Sequence, residues 1–252
     1  MSSEILSSNE ELFMNKCVEQ GLRIDGRKLN EYRDIKIDFG LNPGSVGVCL
    51  GKTRCYVTIN CELSTPNYSK PNEGIIEYKA TFPNYLNKSQ YDSHELTTII
   101  EKGIKQSNAI DLESLCVLAN EKVWIISVNI CIIQMDGNII DCANIGVISA
   151  LKHHRRPDVQ VIGNQITVYS MLDRHPVPLS IHHIPICITL AHIQINNNIY
   201  TIIDPNMKEE LLSDGLTTYC MTKYKQLCSV NKIGGIPISI NEFLKWINTY
   251  VI

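Results

Sequence analysis

The stretch Asp136 to Asp158, DGNIIDCANIGVISALKHHRRPD, carries the spacing most suggestive of chemistry. An apolar run from Trp124 to Ile133 feeds an Asp-Gly turn, and a small-residue helix is expected from about Ile139. That helix leaves through His153, His154, Arg155 and Arg156. A strand that delivers a turn to a helix start collects unpaired backbone N–H groups and the positive end of the helix dipole, so it is a natural place to hold an anion. Whether such a site works depends on the side chains that furnish it.

Other reactive residue types come with weaker spacing. Ten cysteines occur without a CxxC pair, which argues against a cysteine zinc site. Cys49, Cys55, Cys61, Cys131, Cys187, Cys220 and Cys228 sit in or beside apolar runs, where thiols pack as small hydrophobes. Cys116 has no neighbour in sequence that would activate it as a nucleophile. His153 with His154, and His182 with His183, are adjacent pairs whose side chains diverge, which suits packing better than metal. Arg155 and Arg156 precede Pro157 at a helix end, where cations favour the C-terminal carbonyls, and a capping or subunit-contact role is expected of them. Lys102 and Lys105 lie with Thr98 and Glu101 on the polar side of another helix; a solvated face with a Glu101–Lys105 pair is the plain alternative to nucleic-acid contact.

The elements that must position these residues follow from patterning. Ser8 with Glu11 has the spacing of a capping box, opening a helix that ends near Gly21. The polar segment RIDGRKLNEYRDI follows. Strands are expected at Ile35 to Phe39, Ser45 to Leu50 and Arg54 to Glu62, joined by tight turns as a meander, and Pro66 to Gly74 is a loop. Asp92 with Glu95 opens a helix whose Leu96, Ile99, Ile100 and Ile104 share one face. Val123 to Met135 is uniformly apolar and is expected to be a central strand covered on both faces. After HPVPLSIHHIP come two hairpins, Ile186 to Ile195 with Ile199 to Ile203, and Leu216 to Thr222 with Gln226 to Val230. A last helix is expected from Ser239, with Glu242 as capping partner and Phe243, Trp246, Ile247 and Tyr250 on one face.

The totals narrow the classes. A chain of 252 residues buries a full core, and two lobes that share an interface are expected. The expected division is a helical arm over 1–24, a first lobe over 25–180 and a second over 181–252. A formal net charge of -3 supplies no general field for nucleic acid, so any RNA contact must be a local patch. No secretion leader opens the chain and no apolar run has the length of a membrane span, so an intracellular protein with free thiols is expected.

Taken in order, RIDGR at 23–27, GKTR at 51–54, CEL at 61–63, IDLESLCV at 110–117 and EKVWIISVNICIIQMDGNIIDCANIG at 121–146 resemble the RNase PH family. HHRRPDV, VPLSIHHIPICI, DPNMKEELLSDGL and KIGG continue the series to Gly235. The resemblance is closer to the RNase PH-like ring subunits of the eukaryotic RNA exosome, of the polymyositis/scleroderma autoantigen type. It implies the RNase PH-like fold, an α+β arrangement in two lobes of mixed β-sheet packed against α-helices, with six such subunits closing a hexameric ring around an RNA channel. It also implies a segment after Gly235 shorter than is usual for this type.

Active members of that family remove 3' nucleotides by phosphorolysis, and a Thr-Arg pair after the turn grips the phosphate. The matching positions here are Ile139 and Ile140, which have neither hydroxyl nor charge. Asp141 follows; it would repel phosphate and is expected to be the helix N-cap. Laid on the family's acidic run without gaps, DPNMKEELLSDGLTTYCMT puts Leu216 at the catalytic aspartate, while Glu209 and Glu210 keep the upstream acids. A gap of two would bring in Asp214 instead. The resemblance therefore implies a non-catalytic structural subunit, without cofactor or metal, supporting RNA processing and degradation. The alternative is half of a composite phosphorolytic site completed by a partner. Lys102 and Lys105 match channel positions where relatives carry basic residues, so they are the implied RNA-binding residues. Implied partners are other RNase PH-like subunits, cap subunits with RNA-binding domains, an associated exoribonuclease and RNA, in nucleus, nucleolus and cytoplasm, with no membrane.

Overall fold

The computed structural model describes residues 6–83, 92–163, 165–196, 198–237 and 246. The chain opens with helix α1 (Ser8–Glu19) and continues through strands β1 (Ile35–Phe39), β2 (Ser45–Leu50), β3 (Thr53–Ser64) and β4 (Ile75–Thr81) to helix α2 (Ser93–Gln106). The short β5 (Cys116–Leu118) precedes the long β6 (Lys122–Gln134), helix α3 (Ile139–His153) and β7 (Arg155–Arg156). A hairpin of β8 (Val159–Ile162) and β9 (Gln165–Val168) leads to β10 (Val177–Pro178), β11 (Ile186–Ile195) and β12 (Asn198–Ile203). Helix α4 (Met207–Leu212), β13 (Gly215–Met221) and β14 (Leu227–Gly234) close the described order.

Two sheets hold a layer of helices between them. The first runs β1-β2-β3-β6-β4, antiparallel except for the parallel β4–β6 pair, and the second runs β12-β11-β13-β14, antiparallel throughout. Helix α3 packs on β2 and β3 from one side and on β11 from the other, while α2 lies between the edge strands β4 and β14. This placement explains why α3 is small and apolar around most of its circumference: from Ile139 to Leu151 only Ile145 and Ser149 escape burial. The main core joins both sheets, since Cys187 and Cys220 of the second sheet pack with Val46, Val57, Ile126, Ile130, Ile139 and Val147. A buried contact set of this kind is dominated by transfer of apolar surface from water. All ten cysteines are free thiols, and Cys55, Cys142, Cys187 and Cys220 are buried. Among the described residues no helix is long and apolar enough to cross a membrane.

The meander and both later hairpins form where patterning places them, and several expectations are corrected. The first capping box belongs to Ser7 and Glu10, one residue earlier than Ser8 and Glu11: Ser7 has the extended backbone of a cap and accepts from the Glu10 amide. Strand β6 is central, but only one of its faces is well covered. Trp124, Ile126, Val128, Ile130 and Ile132 face the helices, while Cys131 and Ile133 on the other face are exposed. Apolar composition alone does not reveal this, because the uncovered face is also Ile- and Cys-containing. Strand β4, the β8–β9 hairpin and α4 were not anticipated. The expected helix at Ser239 lies outside the described residues except for Trp246, which is buried and stacks on His192 with ring centroids 4.6 Å apart.

Candidate functional site

The turn that hands β6 to α3 is not open to an anion. Gly137 (φ 76°) and Asn138 (φ 52°) both take left-handed backbone, the conformation glycine and asparagine tolerate best. A side chain at Gly137 would begin 2.4 Å from the backbone of Asn206, so the turn is pressed onto the start of α4. Asn138 is the cap residue of α3, without a side-chain capping bond. Its backbone N–H donates instead to Glu210 Oε1 at 2.7 Å. A protein carboxylate, brought in from 72 residues away, thus holds the amide that a free anion would seek.

The cation beside the turn is consumed as well. Arg33 donates from Nη1 to the Asp136 carbonyl (2.7 Å) and from Nη2 to the Gly137 carbonyl (3.2 Å). It also clamps Asp204 with two guanidinium bonds, Nε to Oδ2 at 2.9 Å and Nη2 to Oδ1 at 2.7 Å, the fork geometry that makes Arg–carboxylate pairs strong. Thr53 completes the lock on the turn, its hydroxyl donating to the Gly137 carbonyl and accepting from the Asp136 amide.

Asp204, fully buried and with left-handed backbone (φ 48°), is the centre of this network. Besides Arg33 it accepts from Asn138 Nδ2 (2.7 Å) and Arg27 Nη1 (3.1 Å). Burial pushes its pKa up, but the Arg33 bonds outweigh that and hold it below the ordinary aspartate range. Arg23, itself buried, is bonded through Nε (2.8 Å) and Nη2 to the two carboxylate oxygens of Glu209 and reaches the Ile203 and Asp204 carbonyls. The segment RIDGRKLNEYR therefore threads three arginines into the start of α4. Glu209 also closes the capping box of α4 with Asn206.

Asp141 is not the N-cap expected of it. It is the third residue of α3, buried, and its carboxylate points into the second sheet, accepting from the Thr189 amide (3.0 Å), the Thr189 hydroxyl (2.8 Å) and Asn138 Nδ2 (2.9 Å). The cap place goes to Asn138 because the turn ends one residue after Gly137. Burial raises the Asp141 pKa to about 7, against the lowering by its donors and with help from nearby Asp204.

The residues singled out from the sequence are thereby sorted. Ile139 and Ile140 are core residues with no polar atom to offer. Leu216 packs against the apolar cluster under α1. Asp214 spends its carboxylate on the Gln194 amide at the mouth of the second sheet. Glu209 and Glu210 are buried structural acids. Arg155 caps α3, donating to the Lys152 (2.9 Å) and His154 (2.8 Å) carbonyls, and Arg156 reaches the Ser114 carbonyl. Lys102 and Lys105 are exposed on α2; Lys102 borders a cavity against β14 and Lys105 a larger one against β4. Among the described residues neither has an ion-pair partner, and the Glu101–Lys105 pair does not form. Thr98 spends its hydroxyl on His94 at 3.0 Å. The roles of Arg23, Arg27 and Arg33 were missed, although two arginines around an Asp-Gly turn, and the Asn206–Glu209 capping spacing, were visible signals.

Residues 31–157 match domain 1 of the 3' exoribonuclease family, RNase PH, and residues 183–249 match its domain 2. The chain is 40% identical over 251 residues to "Exosome complex component RRP45" of Homo sapiens, covering 97% of this chain and 57% of that protein. The corresponding protein of Schizosaccharomyces pombe is 36% identical, with 96% of this chain and 85% of the relative covered. The chain thus spans a little over half the length of its mammalian relatives. Among solved structures, an archaeal exosome core is similar with a TM-score of 0.77 at 25% identity, covering 94% of this chain and 90% of the other. The Archaeoglobus fulgidus exosome with RNA bound to its active site shares the fold, with a TM-score of 0.79 at 24% identity over 94% and 92%.

Proposed function

Because the chain belongs to the RNase PH family of 3' exoribonucleases, we propose that it works as a non-catalytic ring subunit of an RNA exosome core. In this role it pairs with other RNase PH-like subunits and helps to wall a channel for RNA during processing and degradation. The observation that carries this reading is the Glu210 carboxylate seated on the Asn138 amide, with Arg33 spent on Asp204. Phosphorolysis needs a grip on a doubly charged nucleophile. Here the amide and the guanidinium at the turn are satisfied internally, and the neighbouring Ile139 and Ile140 offer no replacement. The relatives' name, exosome complex component, supports the exosome part of this reading.

Cap subunits, an associated exoribonuclease and RNA complete the proposed assembly, in nucleus and cytoplasm. RNA contact is assigned to the exposed face of α2 through Lys102 and Lys105, by phosphate and so without sequence preference. The test is incubation of 3'-labelled RNA with the purified chain and inorganic phosphate, together with identification of what co-purifies from the native source. No nucleoside diphosphate and a set of RNase PH-like companions are expected. Phosphate-dependent release by the chain alone overturns the non-catalytic reading.

A second reading has one observation behind it: the two lysines lack ionic partners among the described residues, as donors offered to a neighbour's substrate would. If the chain and a partner together phosphorolyse RNA, and Lys102→Ala with Lys105→Ala abolishes it, the composite half-site replaces the structural role.

A further inference from the structure

The first sheet ends at β4, which pairs only with β6 among the described residues, so its outer edge has no strand partner. A strand edge left this way presents a row of backbone donors and acceptors ready for another chain. Beside it lies a groove of about 540 Å³, bounded by the loop before β4, by α2 and by the segment around residues 108–113, within the size range of sites that hold compact ligands or side-chain groups. Its walls are fixed: a side chain at Gly74 would start 2.4 Å from Leu115 Cβ, and the Gly74 amide bonds the Leu112 carbonyl at 2.9 Å.

Chemistry selects the occupant. Ile76, Ile104, Ile110 and Leu112 supply an apolar lining, and Glu73, Glu101, Asp111 and Glu113 outnumber Lys70 and Lys105. Lys70 is neutralised by Glu73 at 2.6 Å, whereas Glu101, Asp111 and Glu113 have no ion-pair partner among the described residues. The excess of carboxylates disfavours a phosphate chain along the groove and favours cations. An extended peptide suits both features, since its backbone matches a free edge and its alternate side chains point into and away from the groove.

We propose that this groove is a docking site for an extended, basic peptide segment, which adds a strand to β4. Its groove-facing side chains are Lys or Arg, whose aliphatic stems lie along the apolar lining while their charges meet Glu101 and Glu113. The proposal is independent of the ring assignment.

Fluorescence anisotropy on the full chain, with labelled decapeptides of alternating Lys and Val or alternating Glu and Val, tests it alongside a labelled oligouridylate. The Lys-Val peptide is expected to bind at least roughly tenfold tighter than the Glu-Val peptide and to weaken with salt. Glu101→Lys with Glu113→Lys, both at exposed positions, should remove or invert that preference. Amide exchange should show new protection within residues 75–81 on saturation, which adhesion to the acidic rim alone would not give. Equal binding of the two peptides, no binding by either, indifference to the charge reversals, unchanged exchange over 75–81, or displacement of peptide by oligouridylate would each overturn the proposal.

Discussion

Two helices begin in opposite ways. Helix α2 starts at the surface, and its first free amide is met by the side chain of the residue next door in the chain, Asp92 accepting from His94. Helix α3 starts in the interior, and its cap amide is met by Glu210 from the far end of the sequence, with Arg33 and Thr53 bracing the turn. The electrostatic demand of a helix start is the same in both. Satisfied locally, it leaves the surroundings free to bind something else; satisfied at long range, it becomes a tie between distant parts of the fold and closes the place to ligands.

The contrast is broken most forcefully at Arg33. Arg33→Ala leaves Asp204 buried without its main cation, a loss expected to be about 3 to 5 kcal/mol, readable as a shift in the urea midpoint. Next comes Glu210→Ala, which strands the Asn138 amide; about 1 to 3 kcal/mol should go, and Glu210→Gln, which keeps an acceptor, should recover part of it.

A pH titration of stability separates the buried acids of the same region. Asp141 holds its proton more tightly folded, with a pKa of about 7, than unfolded, near 3.8. Its contribution is therefore full below the unfolded value and is lost as pH rises toward about 7. Asp204 is depressed in the fold, so its contribution is present above the unfolded value and fades on acidification. Asp141→Asn should flatten the decline between pH 4 and about 7; an unchanged profile would assign that decline elsewhere.

At the surface helix the effects are smaller. Asp92→Ala should cost about 1 kcal/mol by loss of the cap. Lys102→Ala should move stability by less than about 0.5 kcal/mol, while lowering the salt dependence of RNA binding if that face meets phosphate. A larger destabilisation would show that the lysine is a structural residue after all.

Legibility in the sequence followed the range of the interactions. Strands β1 to β3, β11 and β13 announce themselves by alternation and turn residues, and α2 by its apolar stripe, because each is specified within a few residues. That Ile139 and Ile140 carry neither hydroxyl nor charge is equally plain in the sequence, but the expectation of a phosphate grip at those positions comes from the family resemblance and not from local pattern. In strand β4, Ile76, Tyr78 and Ala80 alternate cleanly with Glu77, Lys79 and Thr81, so a strand is legible there, whereas its parallel pairing with a strand far along the chain is not. The misassignment of Asp141 has the same origin: beside an Asp-Gly turn a carboxylate suggests a cap, and only the arrival of Thr189 shows that it serves the other sheet. The ion pairs on Asp204 and Glu209 join residues 171 to 186 positions apart, beyond any local pattern.

Those separations bear on how the chain comes off the ribosome. Arg23 and Arg33 are made early, but Asp204 and Glu209, 171 to 186 residues later, are their partners. Until α4 has been synthesised Arg23 lacks the carboxylate of Glu209, and the β6–α3 turn lacks the Glu210 carboxylate that closes it. Closure of the arm should thus be a late, slow step in biogenesis, limited by the time of translation and the entropy of a very long loop.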